Sequence, residues 1–162
     1  MKPFLPDHVS TRRILLTAFL LTALGLSAYL NILEAPFVFD DRPNIVQNPN
    51  FRMSELTMDS IIRGTKGPSP FRPVAYLSFS LNYYFDRYNV TGYHLTNIAI
   101  HIVNAFLVFL IAGHTLRLAR VDRSIIPELA ALIWLLHPLH TQSVTYTVQR
   151  INSLATLFFL MG

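Results

Sequence analysis

Twenty consecutive residues without a charge, Ile14 to Leu33 (ILLTAFLLTALGLSAYLNIL), limit what this chain can fold into. As a helix rising about 1.5 Å per residue, the run spans the roughly 30 Å hydrocarbon core of a bilayer. Lys2, Arg12 and Arg13 precede it. A cleaved signal peptide is the rival reading, because Ser27-Ala28 offers small residues. The apolar region of such a peptide runs about 7–15 residues. This one is longer, so a retained signal-anchor helix is expected.

Composition points the same way. The chain is 52% hydrophobic and only 14% charged, whereas a soluble domain carries about a quarter of charged residues. The absence of cysteine excludes disulfides, thiolate metal sites and a Cys nucleophile. The net charge of +4 comes from scattered residues rather than a basic tract. It therefore reads as membrane topology, with no nucleic-acid partner.

Further apolar runs define the rest. His94 to Leu116 is a second span, followed at once by Arg117, Arg120 and Arg123. Ile125 to Leu136 is short for a third span, and the helix is expected to continue through His137-Pro138 towards Tyr146. Ser153 to Gly162 is the start of a fourth. The expected organisation is a cytoplasmic N-terminus (1–13), a first span (14–33), an outer loop (34–93) and a second span (94–116). A cytoplasmic loop (117–124), a third span with its outer extension (125–146) and a truncated fourth span (153–162) follow. The fold class is an all-α polytopic transmembrane bundle, and the chain is expected to be the N-terminal part of a larger membrane protein.

Orientation follows from Lys and Arg density near the span ends. Both the N-terminus and the loop after Leu116 carry three such residues in short stretches. The sixty-residue loop from Glu34 to Tyr93 carries six, balanced by six acids. The N-terminus is therefore expected in the cytoplasm and the long loop outside, in the periplasm of a bacterial inner membrane.

A loop of this length is expected to be organised and functional. Ser54 to Ile62 has the spacing of a short amphipathic helix with Ser54 as its N-cap. The Gly- and Pro-rich stretch Arg63 to Pro70 breaks it, and Arg72-Pro73 opens a second element. Val74 to Phe85 is aromatic enough to lie in the membrane interface. Asn89-Val90-Thr91 matches a glycosylation sequon and is read as a chance match.

At the start of this loop lies Pro36 to Asn48, PFVFDDRPNIVQN, with adjacent carboxylates at Asp40 and Asp41. Alone, the string reads as a solvated turn. The second span changes that context. His94, Asn97, His101 and Asn104 follow one another at helical spacing, within roughly 80° of arc. Such a stripe faces protein or water rather than lipid. Two readings stay open: interhelical hydrogen bonding, and a polar cavity that opens outward. His137, His140, Gln142 and Arg150 lie beyond the outer end of the third span. His101 with His137 also suits a haem, and His137 with His140 a metal, although no accompanying ligand pattern supports either. No phosphate loop, zinc motif or Ser-His-Asp order is present.

Read in order, FVFDDRPNIVQN, FRPVAYLSFSLNYYF, GYHLTNIAIHIVN and HPLHTQSVTYTVQRINSLATLFF resemble a known family. It is the transmembrane-and-tetratricopeptide-repeat protein O-mannosyltransferases with their bacterial relatives, of the GT-C class of polytopic glycosyltransferases. The resemblance runs from Phe37 to Phe159. Gln142 and Asn152 stand where the animal-like pattern has acids, as in a bacterial branch. The resemblance implies transfer of a sugar from a polyprenyl-phosphate carrier to an acceptor protein or glycan on the outer side. It implies catalytic carboxylates at Asp40 and Asp41, one of which takes the acceptor hydroxyl's proton. Mutual repulsion between adjacent carboxylates raises one pKa. The lipid-phosphate leaving group needs stabilisation. Arg72 and Arg150 are the candidates, with His94 and His101 as helpers, and Asn97, Asn104, His137 and His140 complete the candidate binding set. Some GT-C enzymes use a divalent cation and others do not. The alternatives are a non-catalytic membrane scaffold and a binder or transporter of polyprenyl-linked sugar.

Overall fold

The computed structural model describes residues 10–121 and 125–162, so Lys2, Arg123 and most of the expected N-terminal segment lie outside the described residues. The described residues are helical and contain no strand. Helix α1, Thr11–Tyr29, starts at Ser10, whose hydroxyl accepts the Arg13 amide proton at 3.2 Å. Only Thr17, Leu21, Gly25 and Tyr29 are buried, a single row at a spacing of four. Leu15 and Phe19, 64% and 73% exposed, face away from the protein. Together with the turn that follows, this helix is long and apolar enough to cross a membrane, as is α4, Val90–Leu118.

Helix α4 is central and packs against α1, α5 (Ile126–Leu136) and α7 (Arg150–Met161). One apolar cluster joins α1, α4 and α5 through Leu21, Ala105, Phe109, Ala131 and Leu135. At the N-terminal ends of α1 and α5, Arg13 Nε and Glu128 Oε1 form an ion pair at 2.6 Å. A second Arg13–Glu128 hydrogen bond at 2.7 Å makes it two-pronged, which fixes both distance and orientation.

The close approach of α1 to α4 requires Gly25. A Cβ there would lie 2.7 Å from Ile102 Cγ1 and 3.3 Å from Leu135 Cδ1. Gly25→Leu is expected to cost about 1–3 kcal/mol by overpacking, read as a lower melting temperature in detergent. An unchanged melt would show that α1 is not seated on α4.

The opposite end is built from the long loop. Helix α2 is Met58–Gly64, capped by Thr57, whose hydroxyl accepts from Ser60 N at 3.2 Å. It thus starts later than the expected Ser54, because Thr57 and not Ser54 supplies the acceptor for the free amides of the first turn. Helix α3, Pro73–Asp86, begins at the expected Arg72-Pro73 step. A second cluster, Ile45, Phe51, Tyr76, Phe79, Tyr93 and Val148, ties the loop to α3, α4 and the segment before α7.

The expected continuous helix from 125 to 146 is interrupted. Helix α5 stops at Leu136, and His137 is extended at φ −67°, ψ 128°. The ring of Pro138 clashes with an α conformation at the residue before it, which drives His137 out of the helix. A 3-10 turn at Pro138–His140, the short helix α6 at Thr141–Thr145 and a 3-10 turn at Thr147–Gln149 lead into α7. This broken path folds residues 144–150 back over the N-terminal half of α4.

Candidate functional site

The two adjacent carboxylates have opposite environments. Val38 and Asp41 close a tight turn: the Asp41 amide donates to Val38 O at 2.9 Å, and the Val38 amide donates to Asp41 Oδ2 at 3.1 Å. The other oxygen, Oδ1, accepts the Val148 amide at 2.7 Å. Asp41 is 1% exposed and Asp40 is open to solvent. The Asp40 amide donates to the Tyr146 hydroxyl at 2.8 Å, and its carbonyl accepts from Asn44 Nδ2 at 2.8 Å. The acidic turn is therefore fastened at two points to residues 146–148.

Burial pushes the Asp41 carboxyl above its ordinary value. The amides of Val38 and Val148, and the nearby His94, pull it back, while Asp40 pushes it up. Because the folded state holds this proton more tightly than the unfolded chain, Asp41 favours folding at low pH, and that contribution is lost as pH rises through the raised folded value. Wild type is thus expected to lose melting temperature over this window more steeply than Asp41→Asn. Parallel pH profiles would refute that.

The polar stripe of α4 is its buried stripe. Tyr93, His94, Asn97, Ile98, His101, Asn104, Ala105 and Phe109 are the buried residues of the helix. Each stripe residue reaches a backbone carbonyl elsewhere. His94 Nε2 donates to Ala35 O at 3.0 Å and His101 Nε2 to Leu135 O at 3.0 Å. Asn97 donates to Val144 O at 3.2 Å and Thr147 O at 3.3 Å, and Asn104 to Ser153 O at 3.0 Å. The Ala35 and Leu135 carbonyls lie in a loop and at a helix end, where the backbone offers no helical partner. Of the two readings of the stripe, the geometry has the character of interhelical hydrogen bonding.

Arg150, at the start of α7, is 0% exposed. Its Nε donates to Asn97 Oδ1 at 2.7 Å, Nη1 to Asn82 Oδ1 at 2.6 Å and Ser78 Oγ at 3.2 Å, and Nη2 to Tyr93 O at 2.9 Å. The guanidinium lies 4.6 Å from the centre of the Phe79 ring. Among the described residues no carboxylate pairs with it. It is a clamp of neutral acceptors from α3 and α4, and it holds the turn that presents Val148 N–H to Asp41.

The structure thus gathers Asp40, Asp41, His94, Asn97 and Arg150 around residues 144–150. His101, His137 and His140 form a separate group: His140 lies 5.7 Å from His101 and 6.2 Å from His137, ring centre to ring centre. His137 Nδ1 accepts the Leu139 amide at 3.2 Å. Arg72 is exposed at the start of α3 and joins neither group by a hydrogen bond. Sequence reasoning missed Tyr146, Ser78 and Asn82. The only signal for Tyr146 was its place four residues before Arg150, and Ser78 and Asn82 share one face of α3 at a spacing of four.

No family model and no solved structure matches the chain. Curated relatives do. It is 34% identical over 149 residues to Protein O-mannosyl-transferase F38B6.6 of Caenorhabditis elegans, covering 87% of this chain and 21% of the relative. It is 30% identical over 155 residues to Protein O-mannosyl-transferase Tmtc1 of Drosophila melanogaster, covering 87% and 17%. Protein O-mannosyl-transferase TMTC3 of Mus musculus matches at 31% identity over 149 residues, covering 87% and 16%. Along most of its own length, the chain is therefore similar to a stretch of about a fifth of these protein O-mannosyl-transferases.

Proposed function

We propose that this chain carries the catalytic base, a carboxylate, of a polytopic membrane glycosyltransferase of the GT-C class. In this reading a sugar, mannose by analogy with the relatives, passes from a polyprenyl-phosphate carrier to a protein hydroxyl on the outer face of a bacterial inner membrane. The observation that carries the reading is the division between the two carboxylates. Asp41 is spent on holding the turn, since both its oxygens accept backbone amides. Asp40 is held by its backbone and keeps its carboxylate in solvent.

Asp40 then acts as general base. It takes the proton of the acceptor hydroxyl as the oxygen bonds to the anomeric carbon. The bond from that carbon to the phosphate oxygen breaks, and its electron pair leaves with the polyprenyl phosphate. Arg72 is one exposed cation proposed for the developing phosphate charge, whereas Arg150 acts through the turn it holds. Each Asp41 oxygen accepts one backbone amide, and among the described residues no three His, Cys, Asp or Glu side chains come together.

The test is transfer of labelled mannose from polyprenyl-phosphate mannose to a Ser/Thr peptide by membranes that contain the full chain. Transfer that needs Asp40 supports the proposal. Undiminished transfer in Asp40→Asn would leave the scaffold or the lipid-linked sugar binder as the better description.

A further inference from the structure

Phe39 is expensive to keep where it stands. Its φ is 41°, in the left-handed region, which a bulky side chain rarely occupies. The turn enforces it: Val38 and Asp41 are joined in both directions, and the Arg42 amide donates to Phe39 O at 3.2 Å. Glycine would adopt this backbone without strain. Among the described residues the ring gains little packing. It is 85% exposed, while its neighbour Phe37 packs against the Tyr93 cluster. A strained backbone and a solvated aromatic ring thus coincide directly beside the exposed Asp40.

Strain held at one residue by a fully bonded turn is a mark of a functional contact. The neighbouring Val38 is 40% exposed and adds apolar surface on the N-terminal side of Asp40. We propose that Phe39 is a substrate-contact residue, whose ring binds the apolar chain of a lipid-linked sugar donor and so sets its sugar beside Asp40. This rests on the reading of Asp40 as the base of a lipid-linked transfer. In that reading the donor is a phosphate with an apolar chain on one side and a sugar on the other. A flat hydrocarbon ring next to the base suits the chain, and the polar groups around Asp40 suit the sugar.

The experiment compares wild type, Phe39→Gly and Phe39→Trp as the full chain in lipid nanodiscs, with undecaprenyl phosphate and the short citronellyl phosphate as probes. Phe39→Gly is expected to bind undecaprenyl phosphate about tenfold more weakly, the loss for part of one buried aromatic contact. Phe39→Trp should bind close to wild type, and citronellyl phosphate should separate the three less. Phe39→Gly should melt no lower than wild type, since the strain is relieved and little packing is lost. Equal binding by wild type and Phe39→Gly would overturn the proposal, as would a lower melting temperature of Phe39→Gly, which would make the ring structural. Normal lipid binding with impaired sugar transfer would assign the ring to the sugar and also overturn it. Failure of wild type itself to bind either polyprenyl phosphate would instead remove the underlying lipid-linked reading.

Discussion

Asp40→Asn is expected to lower sugar transfer by about a hundredfold or more, the usual contribution of a positioned general base, with little change in the melting temperature. The side chain is exposed, and the bonds that hold the residue come from its backbone to Tyr146 and Asn44. Asparagine keeps those bonds and the shape of the side chain. Asp41→Asn should behave in the opposite way. It replaces one acceptor oxygen by an NH2 group that faces an amide donor, from Val38 or Val148. A buried donor left without an acceptor costs about 1–3 kcal/mol, so Asp41→Asn should melt lower and lose activity in proportion to the folded fraction. Transfer assays paired with melts separate the two roles. A fully active Asp40→Asn alongside a stable but inactive Asp41→Asn would reverse the assignment.

Arg150→Met should be among the most damaging substitutions in the chain, at about 3–4 kcal/mol from several buried acceptors losing their donors together. Asn97 Oδ1, Asn82 Oδ1 and the Tyr93 carbonyl all face the guanidinium at 2.6–2.9 Å. Methionine fills much of the volume and satisfies none of them. Arg150→Lys should recover only part of the loss, because an ammonium cannot reproduce a planar fork that serves α3 and α4 at once. Denaturant titration in detergent measures both. An Arg150→Met variant within about 1 kcal/mol of wild type would show that the clamp does not hold the fold. If Arg150 instead bound phosphate directly, as charge alone suggests, both variants would lose donor binding without losing stability.

These two residues mark where sequence reasoning ends. Nothing in the pair Asp40-Asp41 says which faces solvent, since neighbours in a turn point apart and either could be buried. The choice is made by Val148 and Tyr146, over a hundred residues later in the chain. Arg150 resembled a phosphate ligand because its charge is visible and its acceptors are not. Asn82, Ser78 and the Tyr93 carbonyl are polar groups with no mark of their own until α3 and α4 fold around them. Pro138 marks the helix break at His137 in the sequence, whereas the short apolar run before it favours a longer helix.

What the sequence determined by itself was set by short-range periodicity and length. The uncharged run in α1 and the apolar course of α4 are long enough to cross a membrane. The spacing of His94, Asn97, His101 and Asn104 places them on one face, and that face is the buried one. A helix repeats every 3.6 residues whatever its surroundings, so such features survive without tertiary knowledge. What only the tertiary structure decided was which polar groups satisfy one another. The broken segment between α5 and α7 folds its irregular turns over α4, and its amides and carbonyls find Asp41 and Asn97 there. Hydrogen bonds between distant segments leave no periodic trace in the chain. The division of Asp41 as anchor and Asp40 as exposed carboxylate therefore belongs to the fold.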